Sequence, residues 1–337
     1  MILPKLQLPT HLVKSFSCSA AKTTTLQEIA ANRKGLARVV LKKGKTQLFR
    51  DGSPMVYSGA VDRIVGRPPP KTGDTVLVAD GTEKPIGWGV YNSVSMFCVR
   101  LMQLEEEATR DPYCALDMER LIEIRFDAAV ELRKRMGLPS ADTNAYRLVN
   151  SEGDRLSGLI VDVFGDVAVV ASSAAWVEKY KQEIELHVGR INGVNHVNWR
   201  PSVDILKEEG LDILDSKEKT SPYTGRVKCM VMENGVCYLV SLEGQRTGIY
   251  ADQRENRHLI SLISKDQKVP DVCCYICGFG FEAALASCQC NRCRCRICLF
   301  QGAASIAQRK ITVVGQAGAT CDHPIDPAYP EGACLTN

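Results

Sequence analysis

The 337-residue chain has no run approaching the roughly 20 apolar residues that a membrane-crossing helix needs, and no apolar signal region near its start. Neither a membrane span nor secretion by such a signal is therefore indicated. Long internal repeats are also missing, which sets aside architectures built from stacked units. Acid is nearly absent from the first fifty residues, where Glu28 stands alone against ten Lys and Arg, although the net charge of the whole chain is only +3. Residues 1–35 read as a leader. One reading is an organelle transit peptide for a chloroplast or mitochondrion, with Lys, Ser and Thr but no Arg before Arg33; the other is a solvated, unfolded stretch.

What is present is uneven. Ten of the fifteen cysteines fall between Cys273 and Cys334. The other five (Cys18, Cys98, Cys114, Cys229, Cys237) are scattered like small core or surface residues in a reducing compartment. At this length two or three domains are expected. From Ala37 to Gln103 short apolar runs (ARVVLKKG, PMVYSGAVDRIV, DTVLVAD, IGWGVYN, SMFCVRLM) alternate with Gly, Pro and Asp, like the strands of a small closed barrel. RPPPKTGD, residues 67–74, is a loop between two of them.

Residues 115–136 place Leu116, Met118, Leu121, Ile122, Ile124, Phe126, Ala129, Val130 and Leu132 near a 3.6-residue period, predicting an amphipathic helix. Residues 146–172 read as strand, polar loop, strand, turn at Phe164 to Asp166, and strand; residues 176–188 read as a second helix. Asn234-Gly235 between two β-prone runs predicts a hairpin. After it comes RTGIYADQRENR, residues 246–257, entering a helix whose Leu259, Ile260, Leu262 and Ile263 mark a buried face. Asp252 with Glu255 three residues on has the pattern of a capping box. KVPDVCCYICGFGFEAALA, residues 268–286, then reads as strand, Gly-containing turn and helix, the opening of a Rossmann-type βαβ unit.

A helix start offers unpaired N–H groups to an anionic ligand, and Thr-Gly permits close backbone approach. The strings QRTGIYADQRENR (245–257) and VPDVCCYICGF (269–279), preceded by VYSGAV (56–61) and YRLVNSEGDRLSGLIVDVFGD (146–166), resemble those of the S-adenosylmethionine-dependent 23S ribosomal RNA cytosine-C5 methyltransferases that carry a PUA domain. The similarity runs over about residues 36–286 and implies an α+β and α/β multidomain fold. Its parts would be an N-terminal PUA-like β-barrel (36–107), a central α+β domain (112–224) and a C-terminal, incomplete Rossmann-type methyltransferase domain starting at 225–286.

Residue by residue, the resemblance implies that Gln245, Arg246, Thr247, Gly248, Asp252, Gln253 and Arg254 help to enclose S-adenosylmethionine. Asp271, Cys273, Tyr275, Gly278 and Phe279 would line the first Rossmann turn. Core packing is the competing role for Cys273, Tyr275 and Phe279. Lys42, Lys43, Lys45 and Arg50 flank the first barrel strand, either as phosphate contacts to RNA or as a solvated edge. The expected activity is methyl transfer to ribosomal RNA, and RNA binding without catalysis is the alternative.

The family pattern is broken at Ile276 and Cys277, where a hydroxyl residue and a glycine are expected, and Pro270 sits in a strand. Residues 287–337 form a Cys- and Arg-rich tail without βα alternation or an Asp-Pro-Pro segment, and no catalytic cysteine can be assigned. C-x-C-x2-C-x-C-x2-C at 288–298 fits either a soft-metal site or a sequence altered by frame or splicing.

Overall fold

The computed structural model describes residues 24–33, 35–212, 228–242, 244, 247–265, 268–272, 278–288, 296–300, 311–314 and 320–323. The first of these correct the leader reading in part. Leu26–Ala31 is a helix, α1, capped by Thr25, whose hydroxyl accepts from the Glu28 amide while the Glu28 carboxylate accepts from the Thr25 amide. Leu26 is fully buried, and its amide donates to Glu105 Oε1 at 3.1 Å. A capped turn with a buried leucine is docked structure, whatever precedes it.

Six strands follow, interrupted by a short helix: β1 (Ala37–Leu41), α2 (Thr46–Arg50), β2 (Met55–Tyr57), β3 (Val61–Val65), β4 (Thr75–Ala79), β5 (Pro85–Tyr91) and β6 (Phe97–Leu104). They pair in the order β2-β6-β5-β4-β1-β3. The two edges, β2 and β3, are separated by only the three residues Ser58–Ala60, so the sheet must curl until its edges meet. The expected barrel is present, with PMVYSGAVDRIV divided into both edge strands. Val39, Leu41, Phe49, Val56, Val76, Val78 and Val99 fill its interior.

The chain then runs through α3 (Glu105–Arg110) into α4 (Met118–Arg135), which starts later than the sequence pattern because Asp117 caps it, accepting from the Arg120 amide. Next come β7 (Ala145–Asn150), β8 (Leu159–Phe164), β9 (Val167–Ser172), α5 (Ala175–Lys179), α6 (Lys181–Gly189), β10 (His196–Pro201) and α7 (Val203–Glu208). The single helix expected over 176–188 is two, broken at Tyr180. The sheet order is β10-β9-β8-β7, with β10 parallel to β9. One face of this sheet packs on α4 and α6 in a cluster that also holds Leu77, Trp88, Val90 and Met102 of the barrel. Barrel and central sheet therefore share one core.

A polar clamp crosses the same junction. The buried Glu209 carboxylate accepts from Arg100 Nη2 at 3.0 Å, Asn92 Nδ2 at 3.0 Å, Ser95 Oγ at 3.1 Å and the Ala175 amide at 3.2 Å. Arg100 Nη1 also donates to Ser157 Oγ at 2.8 Å.

Beyond residue 227, β11 (Lys228–Glu233) and β12 (Val236–Ser241) form the expected hairpin, with Asn234 and Gly235 both at positive φ. The hairpin covers the second face of the central sheet, where Val231, Val236, Tyr238 and Val240 meet Ala145, Phe164 and Val169. Next are α8 (Arg254–Ile263), β13 (Lys268–Val272), α9 (Gly278–Cys288), β14 (Arg296–Phe300), β15 (Ile311–Val314) and β16 (Thr320–His323). β14 pairs parallel with β13, so a β-α-β alternation does continue past residue 286, and β15 pairs antiparallel with β16. Pro270 lies in β13, for which β14 is the one partner among the described residues, and such an edge tolerates a missing donor.

The predicted buried face of α8 is not found. Leu259, Leu262 and Ile263 are 53%, 66% and 62% exposed, while the buried α8 residue is Arg257. No helix among the described residues is long and apolar enough to cross a membrane.

Replacing Glu209 with Ala strands the Arg100 guanidinium in the junction, and breaking such a buried pair costs about 3 kcal/mol. Urea unfolding should show that loss, with Glu209→Gln milder because the amide can still accept hydrogen bonds. Equal stability of the Ala variant and the parent would show that the clamp contributes nothing.

Candidate functional site

Arg147 on β7 and Asp162 on β8 are register partners in adjacent strands. Their pairing is bidentate, Nε to Oδ1 at 2.9 Å and Nη2 to Oδ2 at 3.1 Å, and Asp162 has no exposed surface. Burial pushes the Asp162 carboxyl up from the ordinary aspartate range, and hydrogen bonding and charge from Arg147 pull against that rise.

The loop after the hairpin attaches to this pair. Thr247 Oγ1 donates to Asp162 Oδ2 at 2.5 Å, and Asp252 Oδ2 lies 3.0 Å from Arg147 Nη1. Two predicted ligand residues thus reach into the central sheet, and Thr247 is only 1% exposed. The capping box expected of Asp252 and Glu255 does not form. A 3₁₀ turn over Ala251–Gln253 moves the helix start to Arg254, Gln253 occupies the cap position without a side-chain bond to the helix backbone, and Asp252 faces Arg147. A buried guanidinium holds a carboxylate more strongly than an exposed helix end does. Glu255 pairs with Arg254 at 2.6 Å.

Gly248 has φ +130°, and a Cβ there would lie 2.7 Å from both the Ser241 carbonyl oxygen and Val240 Cγ1. The glycine is required because the loop folds back on β12. Gly278 is comparable: a Cβ would meet Arg257 Cδ at 2.9 Å, which brings α9 directly onto α8. Phe279 is half-buried, with its ring centroid 6.0 Å from Arg257 Cζ. Gln253 and Arg254 are half-buried on the outer side of the turn. Gln245, Arg246, Cys273 and Tyr275 lie outside the described residues, as do Cys290, Cys293 and Cys295 of the tail; Asp271 is placed in the backbone of β13 alone. Among the described residues no group of three or more His, Cys, Asp or Glu could hold a metal ion.

Sequence reasoning missed a second buried cluster beneath α9. Glu233 at the end of β11 pairs bidentately with Arg257 of α8, at 2.6 and 2.7 Å, and Arg257 Nη2 donates to the Tyr250 carbonyl at 3.0 Å. Glu282 of α9 is 3% exposed beside them, and Tyr238 of β12 meets Phe281 edge-on at 5.9 Å. Burial, with Glu233 adding to it, pushes the Glu282 carboxyl up to about 7, and burial pushes the Tyr238 phenol up as well. Only the Asn-Gly turn between Glu233 and the next strand hinted at this proximity.

On the barrel, Lys42, Lys43, Lys45 and Arg50 are all exposed. Lys42 Nζ donates to the Gly59 carbonyl at 3.0 Å, and Arg50 lies 3.8 Å from Asp80. Lys43 and Lys45 make no ion pair among the described residues.

The raised Glu282 carboxyl stays protonated in the fold where the unfolded chain, with its ordinary value of 4.5, would ionise. The folded state binds the extra proton, so this stability is present below about pH 4.5 and is lost as pH rises to about 7. The expected loss is on the order of 2 kcal/mol, since one pKa unit is worth about 1.4 kcal/mol. Denaturant unfolding at pH 5.5 and pH 8 should show it, and Glu282→Gln should flatten it; an unchanged difference in that variant would assign the pH dependence elsewhere.

Residues 39–104 match a PUA-like domain family. The chain is 32% identical over 248 residues to ribosomal RNA large subunit methyltransferase I of Alteromonas mediterranea, covering 73% of this chain and 59% of the relative. It is 29% identical over 253 residues to the protein of that name from Pseudoalteromonas atlantica, covering 74% and 60%. A solved structure from Streptococcus mutans, described as a candidate SAM-dependent methyltransferase, superimposes with a TM-score of 0.55 at 19% identity, over 74% of this chain and 60% of that one. A methyltransferase-type structure complexed with SAH gives the same values. The chain spans about 60% of the length of the curated relatives it matches. Over that span it is similar to proteins named ribosomal RNA large subunit methyltransferase I, and its PUA-like domain followed by mixed α/β structure shares the fold of the solved structures it superimposes on.

Proposed function

We propose that the chain is an S-adenosylmethionine-binding, RNA-binding protein of the ribosomal RNA methyltransferase type, with cytosine C5 as the target position. The observation that carries the reading is the close approach of α9 to α8, where a Cβ at Gly278 would lie 2.9 Å from Arg257 Cδ, and Arg257 is the arginine that donates to the Tyr250 carbonyl of the 247–254 loop. The side chains there suit the donor: the partly exposed Asp252 carboxylate and the Arg254 guanidinium match the charged ends of an amino acid, and Phe279 offers an apolar face. Gln253 and Arg254 would hold the amino-acid end. Gly248, Gly278 and Phe279 would shape the wall, and the resemblance extends a part in donor binding to Gln245, Arg246, Asp271, Cys273 and Tyr275. Bound there, S-adenosylmethionine supplies an electrophilic methyl group.

The named relatives act on large-subunit ribosomal RNA, and the exposed Lys42, Lys43, Lys45 and Arg50 supply phosphate-compatible charge on the barrel. Donor and RNA binding are both within reach of these residues. Residues 287–337 carry neither the Asp-Pro-Pro segment nor the catalytic cysteine that the resemblance implies, so the groups named here serve binding and none is assigned to the chemistry. RNA binding without catalysis is thereby favoured as the second reading. The basic N-terminus fits a chloroplast or mitochondrion, whose bacterial-type ribosomes would supply the RNA.

Labelled S-adenosylmethionine incubated with large-subunit ribosomal RNA decides between the readings. RNA retained on the protein with no label transferred is the expected result, and transfer would show that the catalytic group is present after all. Lys43→Ala with Lys45→Ala should weaken RNA binding whatever the sequence and reduce the salt slope of the affinity by about 1 for each phosphate no longer neutralised. An unchanged slope would return these lysines to the solvated edge.

A further inference from the structure

Each end of the donor loop is fastened to the central sheet by an arginine that the donor itself would not touch. Arg200 of β10 donates from Nη1 to the Leu242 carbonyl at 3.1 Å and to the Gly244 carbonyl at 2.8 Å. Arg147 of β7 holds the far end through Asp252, at 3.0 Å. Between them, Asp162 of β8 accepts the Thr247 hydroxyl at 2.5 Å. Arg257 adds a bond from α8 to the Tyr250 carbonyl.

The anchors lie on three strands and are 42 to 105 residues away in sequence from the groups they hold. One guanidinium serves two carboxylates, and the second oxygen of the buried one takes its remaining hydrogen bond from a hydroxyl.

We infer that Arg147, Asp162 and Arg200 are positioning residues for the donor loop, and that Thr247 serves as the loop's tether to them rather than as a ligand group. The inference rests on the donor reading above for its functional meaning, while the tether itself stands on the hydrogen bonds alone. It deepens that reading in a specific way. The central sheet forms the back wall of the donor site, so changes on β8 or β10 should act on donor affinity at a distance. The Thr247 hydroxyl matters and its methyl group does not, because what fixes the loop is the donated proton.

Thr247→Val keeps the shape and removes the hydroxyl, Thr247→Ser keeps the hydroxyl, and Arg200→Ala releases the carbonyls of Leu242 and Gly244. Two measurements on the full chain are needed: amide exchange of residues 247–252 without ligand, and calorimetric binding of S-adenosylhomocysteine. Exchange in that segment is expected to quicken at least tenfold in Thr247→Val and Arg200→Ala, with exchange in β7 and β8 unchanged, and to return to the parent rate in Thr247→Ser. S-adenosylhomocysteine affinity should fall about tenfold in the same two variants and recover with serine. Unchanged exchange in both variants would overturn the inference, as would a serine variant that behaves like valine. If the parent binds no S-adenosylhomocysteine, the donor reading fails, and the exchange comparison still decides whether the tether exists.

Discussion

The Asp162 carboxylate has no exposed surface and is held from two directions, by Arg147 on the adjoining strand and by the Thr247 hydroxyl from a loop 85 residues away. A buried carboxylate without partners would be costly enough to unfold the sheet or to take up a proton. The pair therefore fixes more than two side chains. It holds β7 and β8 in register where β7 is irregular, between Arg147 and Val149. It also draws the loop after the hairpin to the sheet, where Asp252 pairs with Arg147 two residues before α8 begins.

The same economy joins the first two layers. Barrel and central sheet bury a common core, and Glu209 gathers three donors across the junction and a fourth from the Ala175 amide on its own side. A barrel held in this way presents Lys42, Lys43 and Lys45 at a fixed orientation to the central sheet, as the proposed phosphate contacts require.

Much of this was legible in the sequence where the signal is local. Asn234-Gly235 sets its own backbone conformation, so the hairpin could be read directly, and the period of α4 survives because Asp117 caps a long helix. The strand β13 and the helix α9 were also legible, from apolar residues followed by glycine. Partners distant in sequence were not. Asp252 and Glu255 have capping-box spacing, but the choice between capping a helix and pairing with Arg147 depends on a residue 105 positions earlier. The apolar residues of α8 repeat as a buried face would, yet Leu259, Leu262 and Ile263 are exposed and the buried α8 residue is an arginine matched to Glu233. The break at Tyr180 and the parallel β14 were missed because nothing in their immediate sequence announces them.

The central claim, that the buried pair of the sheet and the donor loop are energetically one unit, is tested most directly by a double-mutant cycle in folding free energy between Asp162→Asn and Thr247→Val. A coupling energy of at least about 1 kcal/mol is expected for groups in direct hydrogen-bond contact. Additive effects of the two substitutions would contradict the account.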